Sequence, residues 1–345
     1  MLGPFANAPN TLATRTHLYN NFDALRLIAA WSVLFSHQFP VTATAAPDWM
    51  NVPMVGGAAV MTFFVISGYL VSLSWWSQPQ FFAFAAKRAL RIWPALIVVV
   101  LLCMLALGAG FTSLPSDAYF QQAGTWAYLR NIALDIQYTL PGVFANHPIV
   151  HTLNGSLWTI PIEVGCYVVL AIAGLFGLLK SRKIWAALCA AYLVWFLSSM
   201  TMDLTGSMHH AWEFPAYFAF GSLIAAFHTQ FLQHRWACTA VATIVAVAAY
   251  ALGFKYSALL LFLPSLLIAI GTLSTPVLSR AGRFGDVSYG VYLYAFPIQQ
   301  SVYALWPGLG FASSLALVTV LSLLAGWISW RCVEAPALRL KSFLR

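Results

Sequence analysis

Ionisable residues inside an apolar stretch are the first feature of this chain that could do chemistry. Residues 21–40 read NFDALRLIAAWSVLFSHQFP and carry Asp23, Arg26 and His37. Such groups cost about 3 kcal/mol or more at the centre of a bilayer, so they indicate function. His37 lies eleven positions after Arg26, which places the two residues about 20° apart around a helix and about 16 Å apart along it. The two side chains therefore share one face of a predicted helix.

Each of these residues also has a structural interpretation. Asp23 and Arg26 could form a pair at a helix end, with the long arginine side chain reaching the membrane surface. His37 could be a polar residue at the opposite interface. The spacing alone leaves these alternatives open.

Two further arginines open a second apolar stretch, AKRALRIWPAL, at residues 86–96. Arg88 and Arg91 are separated by three residues and so lie on one helix face. Two guanidinium groups there could hold a phosphate through paired hydrogen bonds. Basic residues at this position also anchor the inner end of a membrane helix, and with Lys87 beside them this interpretation stays open.

A carboxylate lies well inside another stretch, NGSLWTIPIEVGCY, at residues 154–167. If Asn154 or Ser156 caps this helix, Glu163 lies about 10 Å below its outer end, at a depth similar to that of His37. A carboxylate that orients an imidazole makes a general-base pair. Alternatively, Glu163 is a structural partner of a buried Ser, Tyr or Trp.

Polar residues also mark the last two stretches. Tyr289, Tyr292 and Pro297 predict a polar, kinked helix. In the tail, we expect Glu334 to pair with Arg331 or Arg339 at the membrane surface and to be structural.

Composition defines the class of protein that must position these residues. The chain has 345 residues, of which 61% are hydrophobic and 8% charged. Soluble domains carry about 25% charged residues, so the composition predicts an all-α integral membrane protein. The five cysteines show no paired spacing; we interpret them as packing residues and expect neither a disulfide framework nor a metal site.

Hydropathy predicts a bundle of about ten transmembrane helices. The predicted spans are 22–40, 54–74, 88–110, 156–179, 184–201, 212–228, 237–253, 257–273, 287–306 and 311–331. They form one domain, 22–336, which lies between an N-terminal segment, 1–21, and a tail, 337–345. The N-terminal segment lacks the apolar core of a signal peptide.

The distribution of Lys and Arg predicts that both termini are cytoplasmic. Thirteen of the 17 basic residues fall in connections that would face inward, and Arg26 and Arg91 lie just within inner helix ends. Only Arg130 and Lys255 would face outward. The net charge of +8 is therefore a topology signal, with anionic lipid rather than nucleic acid as its partner.

The longest connection, 111–155, would lie outside. It joins an amphipathic piece, 119–135, to a piece rich in Pro, Gly, Asn and His, 141–155. A structured loop of this length is either a lid or binding element, or a passive cap on the bundle.

Taken together, five segments resemble the membrane-bound acyltransferase 3 family. They are FDALRLIAAWSVLFSHQFP, FFVISGYLVS, KRALRIWPA, SLWTIPIEVGCY, and SYGVYLYAFP with the later VEAP. Each is weak alone, but their order covers residues 22–336. The resemblance implies a ten-helix protein of a bacterial inner membrane that moves acyl groups, usually acetyl from acetyl-CoA, onto sugars.

The resemblance also implies roles for individual residues. His37 would be the essential histidine and Arg26 its partner, Arg88 and Arg91 the arginine pair that engages the donor, and Glu163 the acid of the Ser-Leu-Trp motif. The chain departs from the family at Ala295, where a second histidine is common.

We therefore predict a membrane O-acyltransferase that takes acetyl from cytosolic acetyl-CoA to a carbohydrate hydroxyl, without a metal. His37, Glu163 and Asp23 are the candidate catalytic residues, and Arg26, Arg88 and Arg91 the candidate donor-binding residues. The candidate acceptor-binding residues are Asn154, Ser156, Trp158, Tyr167, Tyr289 and Tyr292.

Other classes of function stay open at this point. A transporter or flippase of glycan intermediates would also have intramembrane charges and broken helices. A non-catalytic scaffold for glycan assembly is a third possibility.

Overall fold

Long helices account for most of the structure, a computed structural model that describes residues 20–199 and 210–344. The ten long helices are α1 Phe22–Val41, α2 Val52–Ser77, α3 Phe81–Leu102, α4 Thr159–Leu175, α5 Arg182–Ser199, α6 His210–Ala226, α7 His228–Ala251, α8 Lys255–Gly271, α9 Ser288–Leu305 and α10 Phe311–Ser329. Each overlaps one predicted span. Most of the predicted N-terminal segment, including Arg15, lies outside the described residues, as do the end of the fifth predicted span and Arg345.

The chain is an all-helical membrane protein. Within the described residues, four helical stretches are long and apolar enough to cross a bilayer: Val52–Ser77, Phe81–Phe111, His228–Ala251 and Phe311–Phe343. The shorter apolar helices include Thr159–Leu175 and Ser257–Gly271. The count of ten crossings and the side on which the termini lie stay predictions.

Two helices continue beyond the bounds predicted for them. Helix α3 runs on through a wide π-helical turn, Cys103–Gly108, to Phe111. Helix α10 does the same through Trp330–Glu334, and the chain then continues as Ala335–Arg339 and Leu340–Leu344, which we call the C-terminal extension. This extension contacts the beginning of α3. Much of the predicted tail is therefore part of the folded bundle.

Helices α2 and α6 form the closest backbone contact at the centre of the bundle. A Cβ atom on Gly68 would lie 2.0 Å from the carbonyl oxygen of Phe218, and one on Gly221 would lie 2.2 Å from that of Val65. Only glycine allows this approach, which resembles the small-residue contacts of membrane helices. Gly68 and Gly221 are therefore the residues that let these two helices pack so closely.

The first turn of α1 is anchored to the end of α8. The Asn21 side chain donates to the carbonyl of Ile270 at 3.0 Å and accepts from the Thr275 hydroxyl at 3.0 Å. Phe22 packs where a Cβ on Gly271 would otherwise sit. These contacts set the position of the helix that carries Arg26 and His37.

The long connection 111–155 is packed against the bundle. It contains three short helices, Ser116–Gln121, Ala123–Ala127 and Tyr128–Ala133. Two isolated bridges join Thr112 to Val143 and Thr139 to Thr152. Gln300 of α9 holds it by donating to the carbonyls of Ile149 and Thr152, at 3.1 and 2.7 Å. His147 Nδ1 lies 2.9 Å from Gln300 Oε1.

The cysteines divide into two groups. Cys103, Cys166 and Cys189 are buried, as predicted for packing residues, and all five thiols are free. Cys238 and Cys332 are exposed. The packing interpretation is wrong for these two, because they lie on helix faces that point away from the core.

Candidate active site

A narrow cavity of about 370 Å³ runs between α2, α3, α4 and α9. One face of α2 lines it from Val60 through Ser67 to Ser74. Fourteen residues of helix extend about 21 Å, so the cavity is a long slot. In the described part of the chain, its walls combine apolar side chains with six charged and seven hydroxyl-bearing residues. A concave cavity with convergent polar groups is a candidate small-molecule site.

Five charged residues meet at one end of the slot. Asp286 accepts from Arg91 at 2.6 Å and from Arg26 at 3.3 Å. Arg91 also donates to Glu334 at 3.4 Å, and Asp23 lies 3.6 Å from Arg26. Helices α1, α3 and α9 begin at this end and α10 finishes there, so the fold collects charges from four distant parts of the chain.

Asp286 is the residue at this end that sequence reasoning missed. It lies one residue before the predicted ninth span, so it did not count as an intramembrane charge. The sequence feature that could have identified Asp286 is its position directly before a helix start, where an acidic residue interacts favourably with the helix dipole. Burial raises the pKa of its carboxyl, but the guanidinium groups of Arg91 and Arg26 and the Ser288 hydroxyl outweigh it and hold that pKa below its ordinary value.

Glu334 does not have the partner predicted for it. It is fully buried, and it accepts from Arg91 and from the Ser329 hydroxyl at 3.0 Å. The π-helical turn at Trp330–Glu334 is the reason, since its extra residue per turn moves the carboxylate inward. The expected pairing with Arg331 or Arg339 is therefore wrong.

Arg88 differs from the other two predicted donor-binding arginines. Its guanidinium carbon lies 5.8 Å from the ring centres of Phe84 and Tyr167. Its Nε is buried and has no hydrogen-bond partner, and no ion pair to Arg88 forms among the described residues. Since Arg26 and Arg91 are already neutralised, Arg88 is the cation in the slot best placed to receive an anion.

Glu163 lines the same slot, near Arg88. It accepts a short hydrogen bond from Tyr167 and another from the Ser67 hydroxyl at 3.3 Å. Ser67 and Tyr167 also hydrogen-bond to each other at 2.8 Å, which closes a three-residue network. The alternative in which Glu163 is the partner of a buried Ser and Tyr matches these contacts.

His37 lies beyond the far end of the slot and is not among its lining residues. Its ring packs edge-on against Phe296 of α9, with ring centres 5.2 Å apart. Phe296 is one helical turn, about 6 Å, past Tyr292, which does line the slot. Among the described residues the imidazole makes no hydrogen bond, and the predicted contact between His37 and Glu163 is not formed.

The helix that carries Glu163 starts later than expected. Helix α4 begins at Thr159, and neither Asn154 nor Ser156 caps it. Instead Asn154 accepts from the Ser156 amide at 3.1 Å, within a turn, and donates to the Leu293 carbonyl at 3.0 Å. The capping prediction is wrong because the segment 154–158 is held to α9 as a turn before the helix starts.

The six predicted acceptor-binding residues lie in three different places. Tyr167, Tyr289 and Tyr292 line the slot. Asn154 and Ser156 are fully buried in the turn before α4. Trp158 packs on α6 instead, 5.1 Å from His210 and 5.6 Å from Phe214 between ring centres. Their roles stay predictions.

The tyrosines of α9 hydrogen-bond to the other segments that line the slot. Tyr289 donates to the Ile92 carbonyl at 3.1 Å and lies under Arg91, 5.3 Å from its guanidinium carbon. Tyr292 donates to the Ser156 carbonyl at 2.8 Å. In the part of the chain that the structure describes, no group of three or more His, Cys, Asp or Glu side chains is placed to hold a metal ion.

The fold and the site together define a class of protein, namely helical membrane proteins with a buried, charged slot. Within that class the chain belongs to the acyltransferase 3 family, whose profile, described as an acyltransferase domain, matches residues 19–331. The resemblance carried by the five sequence segments is thereby confirmed.

Two curated relatives match along nearly their whole length. The chain is 33% identical over 334 residues to a protein of Shigella phage Sf6 named O-acetyl transferase, covering 92% of this chain and 96% of the relative. It is 27% identical over 368 residues to Nodulation protein 10 of Rhizobium leguminosarum bv. viciae, covering 94% and 95%. No solved structure matches it.

Proposed function

We propose that this protein is a membrane O-acetyltransferase that moves acetyl from cytosolic acetyl-CoA to a hydroxyl of a carbohydrate on a cell-envelope or exported glycan. Family membership and the phage relative named O-acetyl transferase support the acetyl group. In this proposal ten helices cross a bacterial inner membrane, with both termini in the cytoplasm.

The observation that carries the proposal is the slot itself. It is about 21 Å long along α2, and its α2 wall is mostly apolar. Among the described residues, the guanidinium of Arg88 lines it without an ion-pair partner. The thin, extended pantetheine arm of acetyl-CoA fits such a shape. An anionic donor also gives the orphaned Nε of Arg88 a partner that the protein does not provide.

Arg26 and Arg91 have a different role from the one the sequence favoured. Because Asp286 and Glu334 neutralise them, they shape the slot and keep α1, α3, α9 and α10 together. Glu163, with Tyr167 and Ser67, forms the wall beside Arg88.

His37 is the proposed general base. Its ring nitrogen takes the proton of the acceptor hydroxyl while that oxygen attacks the thioester carbonyl, and the carbon–sulfur bond then breaks. The departing thiolate recovers the proton from the imidazolium. In the second route, a ring nitrogen of His37 attacks the thioester carbonyl, and the carbon–sulfur bond breaks to release the thiolate. The acceptor hydroxyl then attacks the acyl-imidazole, the carbon–nitrogen bond breaks, and the hydroxyl proton is left to the thiolate.

Geometry adds a requirement to either route. His37 lies one turn of α9 beyond Tyr292, at the end of the slot. The thioester must therefore pass Tyr292 and the Phe63 ring that packs 5.8 Å from it. Movement of these two rings is part of the proposal.

Membranes that carry His37→Ala test it. We expect transfer of labelled acetyl from acetyl-CoA to envelope glycan to fall by a factor of about 100 or more. His234→Ala is the matched control, since His234 is exposed at the kink of α7 and far from α9 in the sequence. Full activity of His37→Ala would refute the assignment. Failure of the wild-type protein to consume acetyl-CoA would favour a transporter.

A further inference from the structure

A second cavity, of about 540 Å³, lies at the charged end of the slot. Its lining residues are Gln78, Lys87, Leu338, Arg339, Lys341 and Ser342. Leu338 and Lys341 line both cavities. The second cavity therefore adjoins the slot, and we call it the vestibule.

The vestibule differs from the charged end of the slot in whether its positive charges are neutralised. There, Arg26 and Arg91 face the carboxylates of Asp286 and Glu334. Among the described residues, the vestibule lining has three basic residues and no acidic residue. Apart from Arg88 in the slot, the uncompensated positive charge is thus concentrated in the vestibule.

The C-terminal extension creates this arrangement. It packs against the beginning of α3 and so brings Arg339 and Lys341 to Lys87. Arg339 is exposed and Lys341 is half-buried. Lys87 donates to the Gln78 side chain, which holds its ammonium group toward the cavity.

We propose that the vestibule binds the phosphate-rich adenosine end of the acyl donor, in particular its 3′-phosphate, while the acyl arm enters the slot. The inference rests on the proposed function. Lys87, Arg339 and Lys341 hold the phosphates, and Arg88 is the next cation along the path, so the donor meets positive charge from the surface to the interior. Phosphates are the ligands that such a group of Lys and Arg recognises.

Direct binding tests the vestibule without acyl transfer. The probe is adenosine 3′,5′-bisphosphate, titrated calorimetrically into the purified full-length protein in a neutral detergent. Arg339→Gln with Lys341→Gln should raise its Kd by about tenfold or more. The matched control, Lys180→Gln with Lys183→Gln, removes two exposed basic residues outside both cavities and should leave Kd unchanged.

Comparison with a donor that lacks one phosphate tests the assignment of the 3′-phosphate. Wild-type protein should bind acetyl-CoA about tenfold more tightly than 3′-dephospho-acetyl-CoA. In the Arg339→Gln, Lys341→Gln protein this preference should shrink toward one. Equal affinity of the wild type for both donors, or an unchanged preference in the variant, overturns the proposal.

The same phosphate chemistry could come from a lipid headgroup. Phosphatidylglycerol nanodiscs and phosphatidylcholine nanodiscs separate the two sources. If the double variant loses phosphatidylglycerol but binds the nucleotide as the wild type does, the vestibule is a lipid site and the proposal fails. Nucleotide binding that persists in a protein without acetyl transfer would refute the proposed function and leave the vestibule assignment intact.

Discussion

Replacing Asp286 by alanine is the sharpest test of the charged end of the slot. Asp286 accepts from Arg91 at 2.6 Å and from Arg26 at 3.3 Å. Hydrogen bonds between charged groups contribute about 1.5–3 kcal/mol each, so two give about 3–6 kcal/mol. Glu334 and Asp23 stay in place, and the paired side chains are 14–22% exposed. We therefore expect the lower limit, about 3 kcal/mol, because these remaining partners and solvent screen the orphaned cations.

Unfolding in detergent micelles measures this loss. A decrease of about 3 kcal/mol changes the unfolding equilibrium constant by about 100-fold. Asp135→Ala is the matched control, since its ion pair with Arg130 has side chains 49% and 61% exposed. Exposed pairs contribute about 1 kcal/mol or less, so this control should change stability little.

A second substitution checks the physical cause. If the loss comes from an uncompensated buried cation, adding Arg26→Met to Asp286→Ala should restore part of the stability. If Asp286→Ala is no less stable than Asp135→Ala, or if Arg26→Met causes a further full loss, the ion-pair argument is wrong.

Two other substitutions test different parts of the structure. Gly221→Ala should separate α2 from α6, because the added Cβ would lie 2.2 Å from the Val65 carbonyl oxygen. We expect a loss of about 2 kcal/mol or more of stability in the same unfolding assay. Unchanged stability would refute the close contact. Tyr167→Phe removes the hydroxyl that donates to Glu163. The transfer assay should show acetyl transfer reduced about tenfold, and circular dichroism should show that the fold is retained. Full activity would show that the network does not support the site.

The sequence alone determined the class of the protein and the location of its helices. Low charge content and long apolar stretches are sufficient for this, because every backbone polar group in a bilayer must be satisfied within its own helix. Helical periodicity also placed Arg26 and His37 on one face, and the motifs were enough to recognise the family. None of these inferences requires knowing which helices touch.

Only the tertiary structure decided how the charged groups are paired. Arg91 could not be assigned to Asp286 from the sequence, because 195 residues separate them and the contact depends on how α3 packs against α9. The partner of Glu334 depended on a π-helical turn. The contact of Glu163 with Ser67 depended on how α4 packs beside α2. Helix packing thus neutralises two of the three predicted donor-binding arginines, leaves Arg88 unpaired, and moves the uncompensated charge to the vestibule.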